Sequence, residues 1–352
     1  MVNMKKIKIE NKYIGENEPV FIIAEAGVNH NGDIELAKKL IDIASECGAD
    51  AVKFQTFKAE KVVSKRAPKA EYQTKNTGTD ESQYEMIKEL ELTEDDFYEL
   101  YKYSKNKNIM FLSTPFDFES ADYLDELMPL FKISSTDLNN LPFLEYIAKK
   151  KKPIILSTGM GTLGEIDEAI NIIKKANNND IILLHCVTNY PASFESLNLR
   201  VIRTLKEAFK LPVGFSDHSL GIYAPISAVS LGATVIEKHF TLDKNLPGPD
   251  HKASLSPEEL KEMVSAIRSI EKALGNGIKR PTSEEEKIKK VARRSLVANV
   301  DIPKGATIKK EMIVIKRPGT GIEPKYLNEI MGKKVKRDIK IDEILKLGDI
   351  EW

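Results

Sequence analysis

Val20–Ala26 reads VFIIAEA, an apolar, β-branched run broken only by Glu25. A strand exposed on one face alternates apolar and polar residues, so a continuous run marks a strand buried on both faces of a parallel sheet. Seven runs of the same kind follow: Ala51–Thr56 (AVKFQT), Ile109–Thr114 (IMFLST), Leu130–Ser134 (LFKIS), Pro153–Ser157 (PIILS), Ile181–Val187 (IILLHCV), Pro212–Ser216 (PVGFS) and Ala233–His239 (ATVIEKH). Amphipathic segments separate them, among them Ile34–Cys47 and Pro257–Leu274, the latter with Ser256 as N-cap ahead of Glu258 and Glu259. Eight strand–helix units in about 260 residues predict an α/β fold, a (β/α)8 TIM barrel.

Outside this region the pattern changes. Gly275–Gly277 and Arg280–Thr282 read as a linker, Ser283–Ala292 as a charged helix, and the remainder as short strands with turns at Pro303–Gly305 and Pro318–Pro324. The expected domains are a barrel over 1–277, a linker and helix over 278–292, and a small, mostly β domain over 293–352. One connection is out of proportion. Lys58 to Gln83 is polar and far longer than the 2–6 residues of an ordinary βα loop, which suggests a lid over the barrel mouth or a disordered insertion.

Composition narrows the function. The chain has 352 residues, 41% of them hydrophobic and 30% charged, and its 53 Lys and Arg cancel its 53 Asp and Glu. That balance supplies no basic field for nucleic acid or a membrane surface. Cys47 and Cys186 are too few for a disulfide framework or a four-cysteine zinc site, the polar Met1–Asn17 stretch has no apolar signal core, and a soluble cytoplasmic protein is expected. The charge is unevenly spread. Lys287–Trp352 carries 17 basic and 9 acidic residues, a net of +8, and the remaining 36 basic and 44 acidic residues leave −8. Opposite charge suggests docking of the two parts, within a chain or between chains.

Chemistry in such barrels sits where strands end. Unusual polar residues collect there: Glu25, Asn29 and His30; Lys53 and Gln55; Thr114; Lys132, Ser135 and Asp137; Ser157; His185, Thr188 and Tyr190; Ser216, Asp217, His218 and Ser219; Glu237, Lys238 and His239. All are expected at one mouth. Lys53 and Lys132 lie inside apolar strands, where an ammonium needs a bound anion, a carboxylate partner such as Glu25, or a role as an amine nucleophile. The hydroxyls around them favour a ligand carrying phosphate and carboxylate. His218 and His239 end adjacent strands and can share one divalent ion such as Mn²⁺ or Mg²⁺; singly, each reads as a core histidine or a general base. His251, after Pro247–Asp250, is a spare ligand candidate. Cys186 reads as a packing residue.

The strings FIIAEAGVNHNGD, VKFQTFK, FLSTPFD, FKISSTDLNNLP, LSTGM, LHCVTNYP, GFSDHS, EKHFT and PGPDH resemble the sialic acid synthase family. ARRSLVANVDIPKGATI and VIKRPGTGI resemble its C-terminal antifreeze-like (SAF) domain. The resemblance implies condensation of phosphoenolpyruvate with an N-acylated hexose, N-acetylmannosamine or a 2,4-diacetamido-trideoxy hexose. The product would be a nine-carbon 2-keto-3-deoxy acid. It assigns phosphoenolpyruvate contacts to Lys53, Thr114, Lys132, Ser135, Ser157, Thr188 and Ser216, and metal ligation to His218 and His239. Sugar contacts fall to Gln55, Asp137, Tyr190 and Asp250, with Arg317 reaching in from the other subunit of a domain-swapped homodimer. Glu25 matches the family's strand-one glutamate near the metal, here a candidate for handling the proton of the water that adds at C2. Condensation with a sugar phosphate, or carbohydrate binding on an inactive barrel, are the alternative functions.

Overall fold

The computed structural model describes residues 5–69, 73–74 and 81–352. The chain divides into two compact units, Met1–Gly275 and Asn276–Trp352.

The first unit is the expected barrel. Its strands are β1 (Phe21–Gly27), β2 (Ala51–Thr56), β3 (Met110–Pro115), β4 (Phe131–Ile133), β5 (Ile154–Ser157), β6 (Ile181–Cys186), β7 (Val213–Asp217) and β8 (Val235–His239). They pair in parallel in the order β3-β2-β1-β8-β7-β6-β5-β4, and the two end strands lie side by side to bring the sheet round. Register is set by burial on both faces: Glu25 stands opposite Lys53 and His239, and Glu237 opposite Ser216. Gly214 in β7 has a steric reason, since a Cβ there would stand 2.4 Å from the Val235 carbonyl.

Helices close the outer layer. Asp33 caps Ile34–Glu46 by accepting from the Glu35 and Leu36 N–H groups, and Ala37, Leu40, Ile41 and Ala44 bury its apolar stripe. Ser256 caps Pro257–Leu274 in a reciprocal box with Glu259, and Leu260, Met263, Val264 and Ile267 face inward. An antiparallel hairpin, Ile7–Ile9 with Lys12–Ile14, has no counterpart in the expected elements. Its Ile7, Ile9 and Ile14 are buried, and Lys5 and Lys12 pair with Asp180 and Asp50, which precede β6 and β2. The hairpin therefore covers the end of the barrel remote from the mouth. Three-residue strands fall below the length at which periodicity is readable.

Burial also sets an acid limit on stability. His30 is buried beside Phe54, its Nδ1 accepting from the Gly32 N–H at 3.0 Å. Desolvation pushes it down from 6.5 to about 4, with Asp33 opposing. Because the folded value is depressed, the stability this neutral imidazole contributes is present above 6.5 and lost as pH falls through 4. A shift of that size corresponds to about 3 kcal/mol. In urea titrations at about pH 7 and about pH 4, the stability lost on acidification should be smaller in His30→Gln than in the natural chain. An equal loss in both would mean that His30 does not carry the effect.

The second unit begins with a helix, Ser283–Ala292, capped by Thr282 and Glu285. A short antiparallel pair, Ser295–Ala298 with Ile313–Lys316, and single bridges such as Ile302 to Ile339 and Val335 to Ile350 surround Leu296, Ile308, Ile322 and Leu345. Among the described residues, no helix is long and apolar enough to cross a membrane.

Candidate active site

The C-terminal ends of the barrel strands surround a cavity of about 520 Å³. Strand alternation decides what enters it. Lys53 and Gln55 point in from β2, Lys132 from β4, Ser157 from β5, Cys186 from β6, Ser216 from β7, and Glu237 and His239 from β8. Glu25, Thr114, Ser135, Thr188, Tyr190, His218 and Asp250 complete the wall.

Several expected site residues point elsewhere. Lys238 and Asp217 form a 2.6 Å ion pair with both side chains at 0% exposure, on the faces of β8 and β7 opposite the cavity. His185 bonds the Leu197 carbonyl at 2.7 Å and stacks on Phe215. The Asn29 amide donates to the Phe240 carbonyl and to Ser254. His251, the spare ligand, is held between Thr241 at 2.6 Å and Asn31 at 3.1 Å. Lys238, Asp217 and His185 face away because adjacent strand residues point opposite ways, whereas Asn29 and His251 tie loops to the barrel.

At the cavity floor two lysines meet two carboxylates. Lys53 Nζ lies 2.6 Å from Glu25 and 3.9 Å from Glu237, and donates to Thr114 Oγ1 at 2.9 Å. Lys132 has a looser environment, with Glu237 at 3.5 Å and the Ile133 carbonyl at 3.2 Å. Ser216 donates to Glu237 at 3.1 Å, and the Gln55 amide to Glu25 at 3.4 Å. Burial pushes the Glu25 carboxyl up to about 7 against the pull of Lys53. Glu237 is buried too, but Lys132 and Lys53 together hold it below its ordinary value. Burial draws Lys132 down, with Glu237 opposing. Two nearby carboxyls are thus driven apart, one able to exchange a proton near neutrality and one kept ionised.

His218 and His239 lie at the same mouth with ring centroids 5.6 Å apart. The His218 Nδ1–H donates to the Val187 carbonyl at 2.8 Å, which fixes the tautomer and leaves Nε2 a lone pair. Among the described residues the buried His239 Nδ1 has no hydrogen-bond partner, and desolvation, then His218, hold its pKa well below 6.5. Burial works against the charged form of His218, but Cys186 and the Val187 carbonyl hold its pKa above the ordinary value, so a divalent transition ion bound by this pair would have to displace the His218 proton. Among the described residues no cluster of three or more His, Cys, Asp or Glu side chains is arranged to hold a metal, so water and substrate oxygens would complete the shell. Tyr190 lies over His218 at 4.0 Å, and Asp250 borders the same space.

Ser135, Thr188 and Gly159 make a second cradle. The Gly159 N–H donates to Ser135 Oγ at 2.9 Å, and among the described residues the buried Thr188 Oγ1 has no hydrogen-bond partner. A Cβ on Gly159 would stand 2.3 Å from Thr188 Oγ1 and 2.8 Å from Ser135 Oγ. Gly159→Ala should therefore push both hydroxyls aside and raise the KM of the anionic substrate about tenfold or more, each lost hydrogen bond to a charged group costing roughly 1.5–3 kcal/mol. A KM within twofold of the natural value, about the noise of such a comparison, would remove this cradle from the site.

Cys186 is not the packing residue it resembles in sequence. Its thiol borders the cavity 3.8 Å from His218 Nδ1. Glu237 received no role from sequence, although E-K-H places it two residues before His239 on the same strand face. Asp137 is buried behind the wall formed by Ser134, Ser135 and Thr136, one carboxylate oxygen accepting from Asn140 at 3.0 Å. Arg317 lies in the second unit, exposed at the end of its strand. The long segment after β2 contributes helices Ala59–Val62 and Gln83–Glu89 to the cavity rim, whereas its residues 70–72 and 75–80, part of the expected lid, lie outside the described residues.

Residues 40–279 match the NeuB family and residues 293–351 the SAF domain. The chain is 54% identical over 328 residues to the N,N'-diacetyllegionaminic acid synthase of Campylobacter jejuni, covering 92% of this chain and 98% of that one. It is 48% identical to the enzyme of the same name from Legionella pneumophila over 342 residues, 96% of each chain. The crystal structure of N-acetylneuraminic acid synthetase from Leptospira borgpetersenii, in complex with citrate, superposes with a TM-score of 0.72 at 38% identity, covering 81% of this chain and 95% of that one.

Proposed function

Because the chain belongs to the NeuB family and carries a SAF domain, we propose that it is a synthase condensing phosphoenolpyruvate with an N-acylated aldose to a 2-keto-3-deoxy sugar acid and phosphate. The observation that carries this is Lys132, a buried ammonium whose nearest carboxylate among the described residues is Glu237 at 3.5 Å, facing a cavity ringed by Thr114, Ser135, Ser157 and Ser216. A buried cation so loosely paired is a site for an incoming anion. The names of the relatives support an N-acylated sugar, and the Campylobacter and Legionella enzymes favour a diacetamido-trideoxy hexose over N-acetylmannosamine.

In this reading C3 of phosphoenolpyruvate bonds to the aldehyde carbon, water adds at C2, and the C2–O bond to phosphate breaks. Lys53 and Lys132, both buried, hold carboxylate and phosphate where fixed charges act strongly. Glu25, with a pKa near 7, takes the proton of the water that adds at C2. Glu237 stays ionised and offsets the lysines before the anion arrives. A divalent cation held by His218 and His239 would supply Lewis-acid polarisation of the aldehyde oxygen. Tyr190 and Asp250 face the sugar. Opposite net charges on the barrel and the C-terminal part support a homodimer in which Arg317 serves the neighbouring barrel.

The deciding experiment supplies phosphoenolpyruvate with a panel of N-acylated aldoses and reads phosphate release and product mass. No phosphate from any of them would defeat the reading. Chelator treatment should abolish turnover and Mn²⁺ restore it, whereas His218→Ala and His239→Ala should stay at least about 10²-fold down even with excess metal. Full activity after chelation would exclude the metal role.

A further inference from the structure

One rim of the cavity is largely apolar. Phe57, Val62, Val63, Met86, Ile87 and Leu90 form it, all from the segment between β2 and β3, with Gln73 and Gln83 of that segment beside them. The rim is built rather than loosely draped. Ser82 and Glu85 close a reciprocal cap on helix Gln83–Glu89, and Met86 with Leu90 stand one turn apart and buried. The Ala59 N–H donates to Glu91 at 2.6 Å, tying helix Ala59–Val62 to the chain that follows the second helix. Val62 is nonetheless 37% exposed.

Phosphoenolpyruvate, small and multiply anionic, has nothing to offer such a surface, and an apolar wall in a polar mouth marks where an apolar part of a ligand rests. In the synthase reading the charged floor takes phosphoenolpyruvate and the reacting aldehyde lies at the histidine pair. The far end of the aldose, C4 to C6, is the part left to reach the rim. We infer that this wall selects the sugar by receiving the methyl groups of a 2,4-diacetamido-2,4,6-trideoxy hexose, an assignment that rests on the synthase reading. Relative to N-acetylmannosamine, that sugar exchanges the C4 hydroxyl for an acetamido group and the C6 hydroxymethyl for a methyl. A hydroxyl pressed on these side chains gives up water and gains no partner, whereas a methyl gains contacts. One methyl in an apolar pocket is worth roughly 10- to 200-fold in discrimination.

Met86→Gln and Val63→Thr keep size and add polarity. In each, the ratio of kcat/KM for the trideoxy sugar to that for N-acetylmannosamine should fall about tenfold. A ratio measured within one variant cancels partial unfolding, which lowers both numerators alike. Unchanged ratios in both variants overturn the assignment, as does a natural enzyme that prefers N-acetylmannosamine; in either case phosphate release leaves the synthase reading standing. Absence of phosphate release with both sugars in the natural enzyme brings down that reading together with the wall.

Discussion

Lys132→Met should lower kcat/KM for phosphoenolpyruvate by roughly 10²–10³, the consequence of removing one desolvated charge contact worth about 2–5 kcal/mol. The stability cost should be smaller than for Lys53, because among the described residues Lys132 has Glu237 at 3.5 Å and a neighbouring carbonyl as partners, whereas Lys53 is held at 2.6 Å by Glu25. Lys53→Met should behave differently. Its ammonium lies 2.6 Å from Glu25, with both side chains almost fully buried, so its removal takes away the ammonium paired with that carboxylate. Breaking such a pair costs about 3–5 kcal/mol of stability unless the acid takes up a proton. Glu25 is already poised near 7 and can do so, which places the cost above neutral pH. The two variants should thus share a kinetic defect and part in their melting curves, measured at pH about 6 and about 8. Unchanged phosphoenolpyruvate kinetics in both would remove the anion site from the barrel floor.

Arg317→Ala should abolish most of the synthase activity while leaving both units folded. Arg317 is exposed at the end of a strand in the second unit, followed by the Pro318–Gly321 turn, a place from which a planar guanidinium can bridge two sugar oxygens as a lysine cannot. If it acts across a homodimer, mixing inactive Lys53→Met with inactive Arg317→Ala should restore activity. Only the mixed dimer pairs an intact barrel with an intact partner arginine. After random exchange half of the dimers are mixed and each carries one competent site, so recovery should approach about a quarter of the natural activity. Mixed dimers verified by mass but inactive would place Arg317 outside the neighbouring site.

Charge asymmetry and exposed apolar side chains on helix Ser283–Ala292, Ile288 and Val291 among them, are in keeping with that arrangement. Only the exchange experiment separates a bridging arginine from a solvated one.

Much of this molecule was legible in the chain. Eight largely apolar runs could be satisfied only by strands covered on both faces, and helical spacers between them required a parallel sheet; hence the barrel. Lys53 and Lys132 stood out because an ammonium inside such a run demands an explanation, and the polar residues at strand ends marked the mouth. What the linear order could not show was direction across a strand and proximity across the barrel. His185 and Cys186 are neighbours in sequence, yet the first turns to Phe215 and the Leu197 carbonyl while the second borders the cavity beside His218. His251 looked like a ligand until its two ring nitrogens were met by Thr241 and Asn31. Glu237 gained meaning only when closure of the sheet set it between Lys53 and Lys132, and the apolar rim only when Val63 and Met86, 23 positions apart, met at one edge of the cavity. Burial is a property of each residue type and its neighbours in sequence, so sequence alone determined the layers and the strands. Coulomb energy and cavity shape depend on distances between residues far apart in the chain, and those are decided by the tertiary fold alone.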